Sequence, residues 1–166
     1  MITNKTITIT YKEFNMPEEL DPPDMELLVS ARKIALNAYA PYSHLRVGAA
    51  IRLASGKIIL GTNVENAAFP SGICAERAVL SNASSNYPGD KPEALAVAAV
   101  NENNDINEIL TPCGNCRQVI AEEELRNNSN IRIILDGKDK IYVLDKGSDL
   151  LPLQFSKNNL TPVPGL

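Results

Sequence analysis

The chain has 166 residues, 44% of them hydrophobic and 22% charged, which is the balance of an ordinary globular protein rather than a disordered or membrane-embedded one. Its formal net charge of −4 argues against binding to the phosphate backbone of nucleic acids, because such binding needs clustered lysine and arginine. The length suits a single domain, residues 1–166, around one core.

The first forty residues predict an extended segment and then a helix. Apolar and polar side chains alternate over residues 7–11, which predicts an edge strand or an N-terminal extension. Asp21 and the two prolines after it mark a helix start, and apolar residues recur on one helical face over residues 25–40. Pro41 ends this predicted helix.

A β-hairpin and a polar loop follow the first helix. Residues 47–53 and 57–62 are predicted strands, and Ser55-Gly56 forms the turn between them. Residues 63–72 are polar and are interrupted by proline and glycine, so we expect a loop rather than the interior of an element. We expect this loop to lie at the mouth of a site.

The second half of the chain alternates helices with strands. Helices are predicted over residues 73–83 and 113–126, and strands over residues 94–100, 131–135 and 141–144. This order predicts an α/β protein with a mixed sheet and helices packed on its faces. Each of these two helices follows a strand, so a site built from both N-terminal ends would lie beyond the strand ends, where sites in open α/β sheets are found.

The three cysteines, Cys74, Cys113 and Cys116, all fall at the predicted starts of these two helices. The N-terminal residues contain no continuous apolar segment, and the longest apolar run, residues 94–100, is too short to span a bilayer. We therefore expect a cytoplasmic protein without a membrane partner. An odd number of cysteines in such a protein favours a metal site or catalysis over a disulfide framework.

The cysteine pattern predicts a catalytic zinc site. A catalytic zinc ion takes three protein ligands and keeps its fourth position for water or substrate. Cys74, Cys113 and Cys116 supply three thiolates, which the N–H groups and dipoles of helix N-termini stabilise. Glu76 follows the first cysteine by two residues, so it can carry a proton beside the metal without binding it.

Three thiolates give a Zn²⁺ site a net negative charge, which calls for a compensating cation. Arg77 and Arg117 are adjacent to Glu76 and Cys116, and we expect them to donate hydrogen bonds to the ligand sulfurs. The alternative is a closed structural zinc site in which His44 is the fourth ligand.

The cysteine segments resemble a known signature. Cys74-Ala75-Glu76-Arg77, followed further on by Pro112-Cys113-Gly114-Asn115-Cys116-Arg117-Gln118, resembles the zinc-binding signature of nucleoside and nucleotide deaminases. Within the cytidine and deoxycytidylate deaminase family, the chain resembles the small homotetrameric cytidine deaminases with three zinc-binding cysteines. The further segments that match them are residues 40–43, 47–50, 61–67 and 150–155.

The resemblance implies a three-layer α-β-α fold with a mixed five-stranded sheet and one Zn²⁺ in each subunit of a homotetramer. It places the catalytic core at residues 22–155, between an N-terminal extension (1–21) and a C-terminal tail (156–166). The implied reaction is the deamination of cytidine and deoxycytidine to uridine and deoxyuridine in pyrimidine salvage, with release of ammonia.

The resemblance also implies roles for individual residues. Glu76 acts as acid and base in turn, moving a proton to N3 of the pyrimidine and then assisting departure of the amino group. The backbone N–H of Ala75 binds the base carbonyl, and the carbonyl of Thr111 receives the exocyclic amine. Asn63 and Glu65 bind the ribose hydroxyl; without the resemblance they would be ordinary turn residues.

Three apolar positions bear on the base pocket. Phe155 resembles an aromatic residue that stacks on the pyrimidine from a neighbouring subunit, and Phe69 resembles one at the subunit boundary. Leu45 stands where the family commonly has phenylalanine, which weakens the expected aromatic packing near the base.

Three other functions are compatible with parts of this pattern. A blasticidin-type deaminase shares the zinc motifs, although residues 63–66 favour a nucleoside. A deaminase that edits nucleic acids would need a basic, aromatic-lined channel, which this acidic chain does not predict. A structural-zinc interaction module would bind the metal without turnover.

Overall fold

The computed structural model of the protein describes residues 2–160. The strands are β1 (Lys12–Phe14), β2 (Arg46–Leu53), β3 (Ile58–Thr62), β4 (Pro92–Val100), β5 (Arg132–Leu135) and β6 (Ile141–Leu144). The longer helices are α1 (Pro22–Ala35), α2 (Ala75–Asn86) and α3 (Gly114–Asn127). Short 3-10 turns are present at Pro17–Glu19, Phe69–Ser71, Gly147–Leu150 and Lys157–Asn159. Residues 161–166 of the predicted C-terminal tail lie outside the described residues.

The strands form one mixed sheet in the order β1-β6-β5-β4-β2-β3. Neighbouring strands are antiparallel except for β4 and β5, which run parallel. The predicted α/β class with a mixed sheet is confirmed. The predicted number of strands is wrong, because the sheet of the described residues has six strands rather than five.

The additional strand belongs to the N-terminal extension but not to the residues predicted for it. β1 pairs antiparallel with β6, and Lys12 lies opposite Val143. Extending this register towards the N-terminus places Tyr11 opposite Leu144, the last residue of β6, and takes residues 7–10 past the end of that strand. Residues 7–11 do not form a strand, so of the two predictions for this segment the edge strand is wrong; alternating side chains form a strand only beside a hydrogen-bonding partner.

Helices cover both faces of the sheet, which confirms the three layers. On one face, α1 buries Leu27, Leu28 and Ala31 against small residues of β2 and β4 and against the apolar side chains of β5 and β6. On the other face, α2 and α3 bury Val79 and Ile120 against the opposite sides of the same strands. The central strand β4 is thus covered on both sides, as its unbroken apolar sequence predicts.

The contact between α1 and β2 is closer than most side chains permit. A Cβ atom added to Gly48 would lie 2.2 Å from the backbone oxygen of Ala31. Glycine at this position therefore lets the helix backbone lie directly on the strand.

α1 ends at Ala35 rather than at residue 40 because the next residues contact the polar loop 63–72. The carbonyl of Tyr39 accepts the N–H of Glu65 at 2.9 Å, and Tyr39 forms an isolated β-bridge with Val64. Tertiary pairing here replaces the helical hydrogen bonds that the local sequence could have made. The pairing holds the loop near the N-terminal ends of α2 and α3.

No helix among residues 2–160 has the length and apolar character needed to cross a membrane.

Candidate zinc centre and active site

The three cysteines lie at the starts of two helices, and two of them occupy equivalent places. Cys74 is the N-cap of α2 and Cys113 is the N-cap of α3, and both have extended backbone angles. Cys116 lies in the first turn of α3 and is fully buried. The first N–H groups of a helix have no intrahelical partner, so both helix ends favour negative charge on these sulfurs.

The sulfur atoms have the spacing of a tetrahedral zinc site. The Sγ atoms of Cys74 and Cys113 are 3.9 Å apart, those of Cys113 and Cys116 are 3.6 Å apart, and all three lie within 4.8 Å of one another. Zinc–sulfur bonds of about 2.3 Å at tetrahedral angles place two sulfurs about 3.8 Å apart. The residues present therefore fit Zn²⁺, and they leave one coordination position for another ligand.

The ionisation of the thiols agrees with a metal site. Burial raises the pKa of Cys74 and that of Cys116. Burial also raises the pKa of Cys113, but hydrogen bonds from Cys116, from Cys74 and from the backbone N–H of Asn115 together lower it by more, so its pKa lies below its ordinary value. A buried thiol with a raised pKa keeps its proton until a cation displaces it, so metal binding here releases protons.

The single histidine does not complete this cluster. Within residues 2–160, the group able to hold a metal ion consists of Cys74, Cys113 and Cys116, and His44 is not a member. A closed site with His44 as the fourth ligand therefore does not match the structure.

Glu76 lies next to the cysteine cluster without belonging to it. Its side chain is 4% exposed, and burial raises the pKa of its carboxyl group, against a smaller opposing effect of hydrogen bonds from its own backbone N–H and from Cys116. A buried carboxyl group beside a metal site is suited to accepting and donating a proton.

Most of the predicted site residues line one cavity of about 370 Å³. This volume is in the range of small-molecule sites. The predicted residues in its wall are Asn63, Glu65, Cys74, Ala75, Glu76, Thr111 and Cys113. Leu45 and Phe69 also line it, and the ring of Phe69 packs edge-on against that of Tyr42 with centroids 5.9 Å apart. Phe155 does not line this cavity, and its side chain is 58% exposed.

Asn63 is held in the cavity wall by the backbone of the segment that enters β2. Its Oδ1 accepts the N–H of Val47 at 2.7 Å, and its Nδ2 donates to the carbonyl of Leu45 at 3.0 Å. The side-chain amide has a second N–H and a second lone pair. These remain available to a ligand in the cavity, so the bracing of the loop and the predicted binding role are compatible.

Glu65 is fixed by the loop that follows α1. Its Oε2 accepts the backbone N–H groups of Tyr42 at 2.8 Å and Ser43 at 3.3 Å. Hydrogen bonds from the Ser43 side chain and the Tyr42 backbone lower the pKa of Glu65. The loop thus presents an ionised carboxylate to the cavity, and such a group accepts hydrogen bonds from hydroxyls.

The hydrogen bonds of Arg117 differ from those predicted. Its Nε donates to the carbonyl of Pro112 at 2.7 Å, its Nη1 to the carbonyl of Leu150 at 2.9 Å, and its Nη2 to Oγ1 of Thr111 at 3.1 Å. These oxygens engage all three guanidinium nitrogens, and none donates to a cysteine sulfur. The sequence does not reveal these partners, because two of them are backbone carbonyls that any residue would offer.

The other predicted arginine contact is also absent. Among residues 2–160, no hydrogen bond joins Arg77 to Cys74, Cys113 or Cys116. Compensation of the thiolate charge by Arg77 stays a prediction, and the two helix N-termini are the positive groups that the structure shows at the sulfurs.

The sequence matches a family model over residues 22–128, described as the cytidine and deoxycytidylate deaminase zinc-binding region. The chain belongs to this family. It is 39% identical to a cytidine deaminase of Mycobacterium tuberculosis over 141 residues, which cover 83% of this chain and 96% of the relative. It is 35% identical to a cytidine deaminase of Sporosarcina psychrophila over 144 residues, covering 82% and 93% of the two chains.

Solved structures give the same assignment. The crystal structure of the Burkholderia pseudomallei cytidine deaminase matches with a TM-score of 0.66 and 35% identity, covering 78% of this chain and 97% of the other. That of the Mycobacterium tuberculosis enzyme matches with a TM-score of 0.62 and 34% identity, covering 82% and 99%. The predicted family, the zinc-dependent deaminase class and the Zn²⁺ cofactor are therefore confirmed.

Proposed function

We propose that this protein deaminates cytidine and deoxycytidine hydrolytically. Water replaces the amino group at C4 of the base, so the products are uridine or deoxyuridine and ammonia. The observation that carries the proposal is that buried Glu76 lies beside three sulfurs at zinc-binding distances and lines one cavity together with two of these cysteines, Cys74 and Cys113. The relatives named as cytidine deaminases support this choice of substrate.

When bound, zinc lowers the pKa of a water ligand to about 7 and so supplies a nucleophile at neutral pH. Glu76 accepts the proton that this water loses and delivers it to N3 of the pyrimidine. It then takes the remaining proton from the new hydroxyl group at C4 and donates it to the departing amino group, so that ammonia leaves as the C4 carbonyl forms. Because Glu76 is buried, its carboxyl group exchanges protons with the substrate rather than with bulk water.

The cavity wall supplies groups that orient a cytosine ring. The backbone N–H of Ala75 donates to the carbonyl at C2, and the carbonyl of Thr111 accepts from the exocyclic amine. Arg117 supports this second contact, because it binds Oγ1 of Thr111 and the carbonyl of Pro112. Leu45 packs near the base in place of the aromatic residue common in the family.

The polar loop recognises the sugar. Asn63 and Glu65 are held from behind by backbone groups, and both line the cavity. The donor and acceptor positions of the Asn63 amide and the Glu65 carboxylate that remain free bind the ribose hydroxyl. An uncharged sugar is recognised through such paired donors and acceptors. This supports a free nucleoside rather than a nucleic-acid strand, as does the net charge of −4.

We also propose that the protein is a homotetramer and that Phe155 of each subunit completes the site of a neighbouring subunit. Each subunit has a single catalytic domain. The enzyme is cytoplasmic and acts in pyrimidine salvage. Phe155 is exposed and lies outside the cavity of its own chain, which supports this role. Phe69 is exposed and lines the same cavity, which supports the proposal that it lies at the same subunit boundary.

The loss of cytidine absorbance in the ultraviolet on addition of zinc-loaded protein tests the reaction. Glu76→Gln keeps the size of the side chain and removes the proton carrier, so it should abolish turnover. Glu122→Gln, on the exposed face of α3, is the matched control and should leave turnover unchanged. Stoichiometric zinc without turnover would instead indicate a structural-zinc module, and an active Glu76→Gln variant would overturn the mechanism.

A further inference from the structure

The N-terminal part of α3 holds the C-terminal segment at two points. Arg117 Nη1 donates to the carbonyl of Leu150 at 2.9 Å, and the neighbouring Gln118 donates through Nε2 to the carbonyl of Phe155 at 2.9 Å. The two residues directly follow Cys116, a predicted zinc ligand. Helix α3, which carries two of the three sulfurs of its own site, therefore hydrogen-bonds to both ends of residues 150–155.

The segment between these two points has few other hydrogen bonds, although Gln154 within it is half-buried. Within residues 2–160, the hydrogen bond from Gln118 is the one that ties residues 152–155 to another element. Leu153 has a φ of 57°, a left-handed conformation that is unfavourable for a leucine, and its side chain is almost fully exposed. A turn of this kind persists only when contacts at its ends impose it.

We infer that Gln118 is the positioning residue for Phe155, with Arg117 anchoring the other end of the same segment. This inference rests on the proposed function, in which Phe155 stacks on the base in a neighbouring subunit. Gln118 thus acts within its own chain on Phe155, but its effect on substrate binding appears at the partner's site. The N-terminal part of α3 thus serves two sites, its own through Cys116 and the partner's through Gln118.

The first test compares Gln118→Met, which keeps the length of the side chain without an N–H donor, with the wild type. We expect the KM for cytidine to rise about five-fold, the effect of one neutral hydrogen bond. The kcat and the zinc content should stay the same, because the cysteines and Glu76 are untouched. Gln118→Lys retains an N–H donor of similar reach and should restore the KM, whereas an unchanged KM in Gln118→Met would overturn the inference.

The second test uses mixed oligomers to distinguish an effect of Gln118 on the site of its own chain from an effect on the site of a partner subunit. Gln118→Met chains are assembled with a large excess of Glu76→Gln chains carrying a different tag, so turnover comes only from sites of the Gln118→Met chains. Their Phe155 contacts then come from partners with an intact Gln118, and the KM should return to the wild-type value. A KM that stays raised would show that Gln118 acts on its own site, and failure to form oligomers would equally exclude the inference.

A third measurement does not depend on the substrate. Chymotrypsin cleaves after aromatic and leucine residues, and loosening the segment should speed cleavage after Leu153 and Phe155 in Gln118→Met several-fold. Unchanged cleavage would contradict the positioning role even if cytidine proved not to be the substrate. Conversely, absence of cytidine turnover by the wild type would overturn the proposed function while faster cleavage still supported the positioning role.

Discussion

The Sγ atoms of Cys74 and Cys113 lie 3.9 Å apart, although they belong to two different helices. The cysteines sit at the ends of helices that already pack on a common sheet face, so the core does not depend on the metal to bring them together.

We therefore predict that removing zinc with a chelator abolishes activity but leaves the protein folded. The buried core of α2, α3 and the sheet should keep the far-ultraviolet circular dichroism spectrum unchanged, because its apolar contacts lie outside the metal site. Activity and spectrum are measured before chelation, after chelation and after zinc is restored. Unfolding of the metal-free protein would indicate a structural rather than a catalytic metal.

A second prediction concerns Asp24, which is 4% exposed at the start of α1. Its oxygens accept from Arg52 Nη2 at 3.1 Å and from Arg132 Nε at 2.6 Å. Asp24→Asn removes the buried charge that both guanidinium groups share, so the free energy of unfolding should fall by about 3 kcal/mol, as when one member of a buried ion pair is removed. Urea denaturation gives this value.

The matched control for that experiment is Asp145→Asn. Asp145 also binds Arg132, at 2.9 Å, but its side chain is 69% exposed. Solvent screens such a pair, so the change in unfolding free energy should be below about 1 kcal/mol. Equal losses for the two variants would show that burial of Asp24 does not determine the strength of its interaction.

The third prediction concerns the ionisation of Glu65. Glu65→Gln should raise the KM for cytidine about ten-fold at neutral pH, because the variant replaces a charge-assisted hydrogen bond with a neutral one. Hydrogen bonds from Ser43 and Tyr42 lower the pKa of Glu65, so its carboxylate persists as the pH falls through the ordinary range for glutamate. The difference in KM between the wild type and Glu65→Gln should therefore disappear only at a pH below that range. Its disappearance at a higher pH would contradict the assigned ionisation.

A fourth prediction concerns the C-terminal segment. Ending the chain after Leu151 removes Phe155 and should reduce activity far more than it lowers the melting temperature, because the residues lost from the described part of the chain do not contribute to the buried core. Phe155→Ala should show the same loss of substrate affinity within the full-length chain. Loss of activity in proportion to loss of folding would instead assign the segment a structural role.

The local sequence accounts for much of the site. Cys74 and Cys113 fall at helix starts because glycine or proline precedes each one and helix-forming residues follow, and the structure places both as N-caps. The hairpin β2–β3 and the central strand β4 also follow from turn residues and from an unbroken apolar run. These features depend on neighbours in the chain, which the sequence shows directly.

Contacts between distant segments were not predictable in the same way. The strand of the N-terminal extension, Lys12–Phe14, pairs with residues 141–143 of β6, and β6 offers no partner beyond Leu144. Arg117 binds the carbonyls of Pro112 and Leu150 rather than a sulfur. A backbone carbonyl has no signature in the sequence, so its choice as a partner depends on where the fold places it.

The residue types and their spacing are enough to identify the chemistry: three thiolates, a carboxylate two residues after the first of them, and the family that shares this pattern. Those properties reside in side-chain types and short spacings. Tertiary structure alone decided that the sulfurs meet at zinc-binding distances, that Glu76 is buried, and that Gln118 holds Phe155 outside its own cavity. Each of these depends on distances between segments far apart in the chain, which only the packing of helices on the sheet sets.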